Sequence, residues 1–297
     1  MFMVLGEFFI SLLILLVFSG FGLRVLKWSG VANGSCLPSF LFGWTIGLGC
    51  TAILTLFLGL ARLLYPLTAW IVVSCMLALS HREVWQLLVL FFRWIRTIRA
   101  RELSSVLMAV AAVSFGIFSL INALSPPVFY DSLAAHLAHP NWSILNHAIR
   151  YRPYNVYTNY PLNIESVYTF CMLLVRGDQI AKLVNFLMGI TSALVVFSIC
   201  SRFAGRRTAI IGAATFYLVP SMGILSGLAT HDLGLLLFEI TSIYALFVWL
   251  RGGNKRWLPV SALLCGFAIG TKYTGLYFLI TCLLLMFLRL AFDRKGL

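Results

Sequence analysis

The sequence predicts an all-α protein: a polytopic transmembrane helical bundle of about nine spans, with short amphipathic helices in its first large outer loop. Three observations predict it. Hydrophobic residues make up 61% of the 297 residues and charged ones only 10%, a composition far more apolar than that of a soluble domain. The apolar residues come in runs, and a bilayer core of roughly 30 Å needs about 20 helical residues at 1.5 Å each. Between the runs, basic residues gather in short clusters, as they do on the cytoplasmic side of membrane proteins.

Taken in order, the first expected span covers residues 8–26. Glu7 precedes it, Arg24 and Lys27 close it, and no small-residue cleavage pattern follows, so it reads as a retained helix. Spans 40–63 and 65–80 come next. Residues 84–101 then mix Trp85, Leu87, Leu88, Phe91, Phe92 and Trp94 with arginines, the pattern of a helix lying in the cytoplasmic interface. Together these form an N-terminal segment, residues 1–102, ahead of a second module, residues 103–297. That module holds spans 103–124, 179–200, 208–225, 229–250, 258–271 and 274–290. The last two cannot be one helix, because 258–290 would then reach about 50 Å. A turn is therefore expected at Gly270-Thr271-Lys272-Tyr273-Thr274-Gly275.

The formal charge of +13 does not imply a nucleic-acid partner. Its clusters (Arg93, Arg96, Arg99 and Arg101; Arg202, Arg206 and Arg207; Arg251, Lys255 and Arg256; Arg289, Arg294 and Lys295) all fall on the cytoplasmic side if each intervening element is an out-and-back pair. The same topology brings Asp131, His231, Asp232 and Lys272 to the outer face. Six of the seven cysteines lie in apolar runs without metal-ligand spacing and Cys36 has no evident partner, so no disulfide framework is expected. Asn33-Gly34-Ser35 and Asn141-Trp142-Ser143 match the short glycosylation sequon, which occurs often by chance.

Residues 125–178 are too polar to cross a membrane and too apolar for a free loop. Ser132 to Ala138 has helical i, i+4 spacing ended by Pro140, and residues 163–175 form a second amphipathic stretch with Glu165 near its start. Both are expected to lie on the outer surface and roof a cavity. The loop opens on Phe129-Tyr130-Asp131-Ser132, an acid at the mouth of a membrane helix where charge is costly. Asp131 suits either of two roles, the N-cap of the helix starting at Ser132 or a general base for a hydroxyl.

Other residues carry similar pairs of readings. His136 and His139 share a helix face and, with Asp131, are candidate metal ligands; hydrogen bonding to a polar substrate is the plainer role. Arg150-Tyr151-Arg152-Pro153-Tyr154 is either an aromatic belt with snorkelling arginines or a phosphate and sugar site built on Arg150, Arg152 and Tyr154. Asp232 and Glu239 lie on one face of a helix; Glu239 is expected to be structural, hydrogen-bonded to a partner, and Asp232 functional. Asp178 and Lys182 have the spacing of a local ion pair. Lys272, in its tight turn with no acid near it in sequence, suits either an interfacial anchor or an anion site.

The order of these motifs resembles a known class. Tyr130-Asp131-Ser132-Leu133-Ala134-Ala135-His136-Leu137, Pro153-Tyr154-Asn155, Asn159-Tyr160-Pro161-Leu162-Asn163, Arg176-Gly177-Asp178-Gln179, His231-Asp232 and Gly270-Thr271-Lys272-Tyr273-Thr274-Gly275 together resemble the GT-C membrane glycosyltransferases. The likeness is to bacterial family 39-like members, related to protein mannosyltransferases, lipid A aminoarabinose transferases and Rgt-type core transferases, over roughly residues 103–290.

The resemblance implies inverting transfer of a sugar, hexosyl or pentosyl, from a polyprenyl-phosphate donor to a glycan, lipid or protein acceptor on the outer face of a bacterial inner (plasma) membrane. Asp131 matches the proposed base of the class. Lys272 with Arg150 or Arg152 would stabilise the departing phosphate, and Asp232 would orient substrate or bind metal. No cofactor is required, although a divalent metal is compatible with the class. Members usually continue with further spans and often a carboxy-terminal domain, so a shortened form is expected here. Two other functions fit the same residues: a non-catalytic lipid-binding or transport protein, and a metal-dependent hydrolase built on Asp131, His136 and His139.

Overall fold

The computed structural model describes residues 2–31, 35–95, 102–252 and 254–294. The Asn33 sequon and the basic residues Arg96, Arg99, Arg101 and Lys295 lie outside them. All described secondary structure is helical. In chain order the helices are α1 (Phe2–Trp28), α2 (Cys36–Leu60), α3 (Pro66–Ile95), α4 (Leu103–Leu124), α5 (Ala138–Leu145), α6 (Asn163–Val175), α7 (Gln179–Phe203), α8 (Arg206–Tyr217), α9 (Pro220–Ser226), α10 (Asp232–Leu250), α11 (Trp257–Ile269) and α12 (Gly275–Arg294). A π-helical turn, Ser132–His136, precedes α5, and a 3-10 turn, Val156–Asn159, precedes α6.

Six of these helices, α1 to α4, α7 and α10, are long and apolar enough to cross a membrane, or seven spans if α8 and α9 count as one. That is fewer than the nine expected, for reasons of geometry. The stretch expected at 208–225 is bent by 68° between α8 and α9. Pro220 opens α9 and holds Val219 out of the helical region, at ψ 124. The turn at Gly270–Gly275 is present, but it leaves α11 with 13 residues, about 20 Å of helix, short of the hydrocarbon core. Residues 65–80 and 84–95 form two helical stretches within α3, joined at a kink where Ser80 leaves helical angles at φ −122 and ψ 15; residues 96–101 lie outside the described residues.

α1 and α2 pack most intimately, and small residues make this possible. Gly43 and Gly47, one turn apart on α2, face the α1 backbone: a Cβ on Gly47 would overlap the Phe18 carbonyl, and one on Gly43 the Ser19 carbonyl. Such a small-xxx-small pair lets two backbones approach where apolar surfaces alone gain nothing from lipid. Gly47→Val should therefore destabilise the bundle by about 1–3 kcal/mol through overpacking, read as a lower thermal midpoint in detergent. An unchanged midpoint would show that the helices separate without cost.

The core is continuous across the N-terminal segment and the later helices. Phe18 and Trp44 stack on each other, Phe18 also meets Phe170 of α6, and Phe42 meets Tyr244 of α10 and Trp257 of α11. The α6 helix is the main surprise of the outer loop. It was expected on the membrane surface, but every residue from Ile164 to Leu174 is buried, packed against α2, α5 and α7. Its polar positions explain the misreading, because Glu165, Ser166 and Thr169 are satisfied or placed inside the bundle rather than in water. Pro140 likewise does not stop a helix: it sits in the first turn of α5, where its missing N–H costs no hydrogen bond.

Two ends of the bundle are chemically distinct. Arg24 and Lys27 at the close of α1 pair with Glu83 of α3, and Arg256, just before α11, donates to the Gly30 carbonyl. Lys272 follows the other end of α11, and Asp232 begins α10.

Candidate active site

A cavity of about 480 Å³ opens where three sequence-distant segments meet. Asp131 immediately precedes the π-helical turn and His136 ends it, His231 and Asp232 come from the start of α10, and Thr271 to Thr274 from the α11–α12 turn. Glu165 of α6 reaches it from below, and Tyr157, Tyr160 and Tyr273 line its rim.

Local structure explains each position. Lys182 of α7 anchors the end of α4, donating from Nζ to the Asn122 carbonyl at 2.6 Å and the Ser125 carbonyl at 2.7 Å. Carbonyls at a helix C-terminus lack intrahelical donors, and a buried ammonium group supplies them. The expected Asp178–Lys182 pair does not form, and Asp178 instead accepts from Asn141 Nδ2 at 3.4 Å. From that anchored end, Pro126-Pro127 leads to Asp131. Asp131 is not an N-cap: its backbone is already helical at φ −63 and ψ −35, and its side chain makes no capping bond. The carboxylate is exposed to the cavity, with no hydrogen-bond or ion-pair partner among the described residues.

The α11–α12 turn is held from the other side. Asn163, at the start of α6, accepts nothing from it but donates twice, its backbone N–H to the Gly270 carbonyl at 3.0 Å and its Nδ2 to the Phe267 carbonyl at 3.0 Å. So fixed, Lys272 Nζ lies 2.8 Å from Asp232 Oδ1. Lys272 is thus not without an acid; the acid comes from α10, forty residues earlier in sequence. Both side chains are roughly two-fifths exposed, so the pair contributes only about 0.2–1 kcal/mol to stability and is open to exchange partners.

Beside this pair, His136 Nδ1 donates to Glu165 Oε1 at 2.7 Å and His231 Nδ1 to the same oxygen at 3.1 Å. An ionised carboxylate can only accept, so both imidazoles carry a proton on Nδ1. Burial would raise the Glu165 pKa, but the two histidine hydrogen bonds outweigh it and hold the group at about 2. The two rings meet edge to face, 4.5 Å apart. Together the three residues offer ligand atoms within 4.8 Å of one another, the one set of donors among the described residues that could hold a metal ion.

His139, the expected neighbour of His136, is not part of this set. It is buried, its Nδ1 has no partner, and burial, reinforced by Arg152 and opposed by Glu165, holds its pKa below the ordinary value. Arg150, Arg152 and Tyr154 do not line the cavity either. The Arg152 guanidinium lies over the Trp142 ring at 4.3 Å, Arg150 is exposed, and Tyr154 is 99% exposed. Glu239 is half-buried within α10 with no hydrogen-bond partner among the described residues, so its expected bonded role is not met. Glu165, Tyr160 and Tyr273 are site residues that the sequence did not single out as such. The buried Glu165 at the head of a helix carried a signal, but that helix read as a surface element.

Residues 166–295 match the family model of the dolichyl-phosphate-mannose-protein mannosyltransferases. Over this part the chain is similar to the GT-C mannosyltransferases. No curated protein and no solved structure matches the chain. The matched region contains His231, Asp232 and Lys272, whereas Asp131, His136 and Glu165 precede it. The family supports glycosyltransferase activity with polyprenyl-phosphate sugar donors in general, and the apolar helices make the chain an integral, multi-pass membrane protein.

Proposed function

We propose that the protein transfers a sugar from a polyprenyl phosphate to an acceptor hydroxyl on the outer face of a bacterial inner membrane, with inversion and with Asp131 as general base. The observation that carries this reading is the meeting of Asp131, Asp232 and Lys272, from three distant segments, around one cavity. The acceptor oxygen attacks the anomeric carbon from the side away from the phosphate. Its proton passes to the Asp131 carboxylate, the anomeric C–O bond breaks, and the electron pair leaves on the lipid phosphate. A phosphate is a good leaving group, so the reaction needs a base and a cation rather than a strong acid.

Lys272 is the cation within reach, and the proposed phosphate contact is drawn from it rather than from Arg150 or Arg152. Donor phosphate would compete with Asp232 for the ammonium, and Asp232, once displaced, is placed to accept from sugar hydroxyls. Tyr157, Tyr160 and Tyr273 provide aromatic faces suited to packing on a sugar ring.

The test is an assay of purified protein with polyprenyl-phosphate sugars, following release of the lipid phosphate and labelling of added glycan, lipid or protein acceptors. Transfer by the parent and a loss of roughly 10²–10³-fold in Lys272→Met, the scale of removing one group that stabilises developing charge, is the expected result. Donor binding without any product, in the presence of each acceptor class, would leave a non-catalytic lipid-binding protein as the reading instead.

A further inference from the structure

We propose that His136, Glu165 and His231 form a site for a divalent transition metal of the zinc class, with its remaining coordination position toward the cavity. The metal-binding claim goes beyond the transfer reaction and does not depend on it.

The donor set itself is the first reason. Two imidazoles and one carboxylate are a ligand combination that zinc takes in catalytic sites, where a fourth position stays open. A tetrahedral ion with bonds of ~2.1 Å places its ligands about 3.4 Å apart. Here the available atoms already lie within 4.8 Å of one another, and the two Nδ1 to Oε1 separations are 2.7 and 3.1 Å. Because a ring nitrogen ligates only without its proton, each Nδ1 proton would pass to solvent or give way to the Nε2 tautomer as the ion binds, and side-chain rotations would then close the set.

A second, independent observation points to a cation. Glu165 is 4% exposed, and its second oxygen, Oε2, is buried without a hydrogen-bond donor. Buried polar atoms are rarely left so, and those that are commonly mark a missing ion or water. The nearby Thr230 Oγ1, next to His231, and His139 Nδ1 are also buried and unpartnered. The carboxylate lies against two imidazole rings that meet edge to face, so its unpartnered oxygen sits among further ligand atoms. Lys272 does not serve as the cation there, because its ammonium is engaged by Asp232.

The third reason is where the ligands come from. His136 belongs to the π-helical turn that follows Asp131, Glu165 to the buried helix α6, and His231 is the residue before α10. One ion would tie the outer loop to two helices of the bundle and hold the turn that presents Asp131. All three ligands line the cavity, so the open position would be available to an oxygen anion. That this anion is the donor phosphate rests on the transferase reading.

The experiment uses the full chain in detergent, without a histidine tag, stripped with chelator and then titrated with zinc or cobalt. The readouts are metal content by elemental analysis, the thermal midpoint, and the visible spectrum of the cobalt form. Expected are one equivalent of tightly held metal, a raised midpoint, and cobalt bands of tetrahedral character. His231→Asn and Glu165→Gln should lose all three, whereas His139→Asn should keep them. Zinc content and midpoint shift that are the same in the parent, Glu165→Gln and His231→Asn would overturn the site, as would a parent that retains no metal. Because none of these readouts is sugar transfer, a protein that binds zinc but transfers nothing would refute the transferase reading alone.

Discussion

Replacing Asp131 by Asn will lower sugar transfer by roughly 10²–10⁴-fold, the usual contribution of a positioned general base, and will leave the thermal midpoint where it was. The two halves of this result come from separate observations. The activity loss follows from the proposed proton transfer to the carboxylate, which Asn cannot accept. The unchanged midpoint follows from the geometry, because the Asp131 side chain caps no helix and has no partner among the described residues. Removing it therefore costs the fold nothing. A sequence-level reading in which Asp131 caps a helix would tie the two effects together, with a loss of about 1 kcal/mol of stability. Steady-state transfer and thermal unfolding measured on the same preparation separate them. If the Asn variant transfers sugar at the parent's rate, Asp131 is not the base. Asp232, which is drawn to Lys272 in the resting site, is then the next acid to examine.

Lys182→Met will have the largest effect on the fold. The ammonium group donates to two carbonyls at 2.6 and 2.7 Å at the end of α4. Hydrogen bonds from a charged group contribute about 1.5–3 kcal/mol each; their removal leaves the Ser125 carbonyl without its donor, while the Asn122 carbonyl keeps only the Ser125 N–H. The expected loss is on the order of 3 kcal/mol, seen as a markedly lower thermal midpoint and poorer yield from membranes. Methionine fills much the same volume, so the change reports on the hydrogen bonds rather than on a cavity. Transfer by the protein that does fold should also fall, because the released end of α4 carries the Pro126-Pro127 segment and, four residues on, Asp131. Lys182→Arg should restore part of the stability by keeping charge and donors. A Met variant as stable as the parent would mean that water, not Lys182, serves these carbonyls.

The electrostatic design of the site follows from the two fates of its charges. Lys272 and Asp232 remain about two-fifths exposed, so their pairing is weak and a phosphate can replace Asp232 at little cost. Glu165 is the opposite case. It is buried and ionised, and its two histidines are the groups that make this tolerable. One pair is built to open, and the other is built to stay.

How far the sequence reached is clearest element by element. Residues 103–124 read as a span, and α4 is Leu103–Leu124. The turn at Gly270–Gly275 was required by length alone, and it is there. Charge topology was enough to send Asp131, His231, Asp232 and Lys272 to one face, and all four line one cavity. These features depend on local hydropathy and on a direction across the membrane, quantities carried by neighbouring residues.

Other features depend on residues far apart in the chain, and spacing rules for one helix misled there. Asp178 and Lys182 have i, i+4 spacing, but the terminal carbonyls of α4 are a stronger claim on a buried ammonium than a half-exposed carboxylate. His136 and His139 were paired by their three-residue spacing, whereas the π-helical turn sends His136 to Glu165 and leaves His139 buried without a partner for its Nδ1. By composition and periodicity the sequence by itself determined a helical membrane protein, the positions of its long spans, and the gathering of its acids and lysine at one cavity. Only the tertiary structure decided that α6 is buried, that Lys272 rests on Asp232, and that Glu165 joins His136 to His231. The physical reason is that hydropathy is summed along a segment, whereas partners for buried charges are chosen by packing between segments.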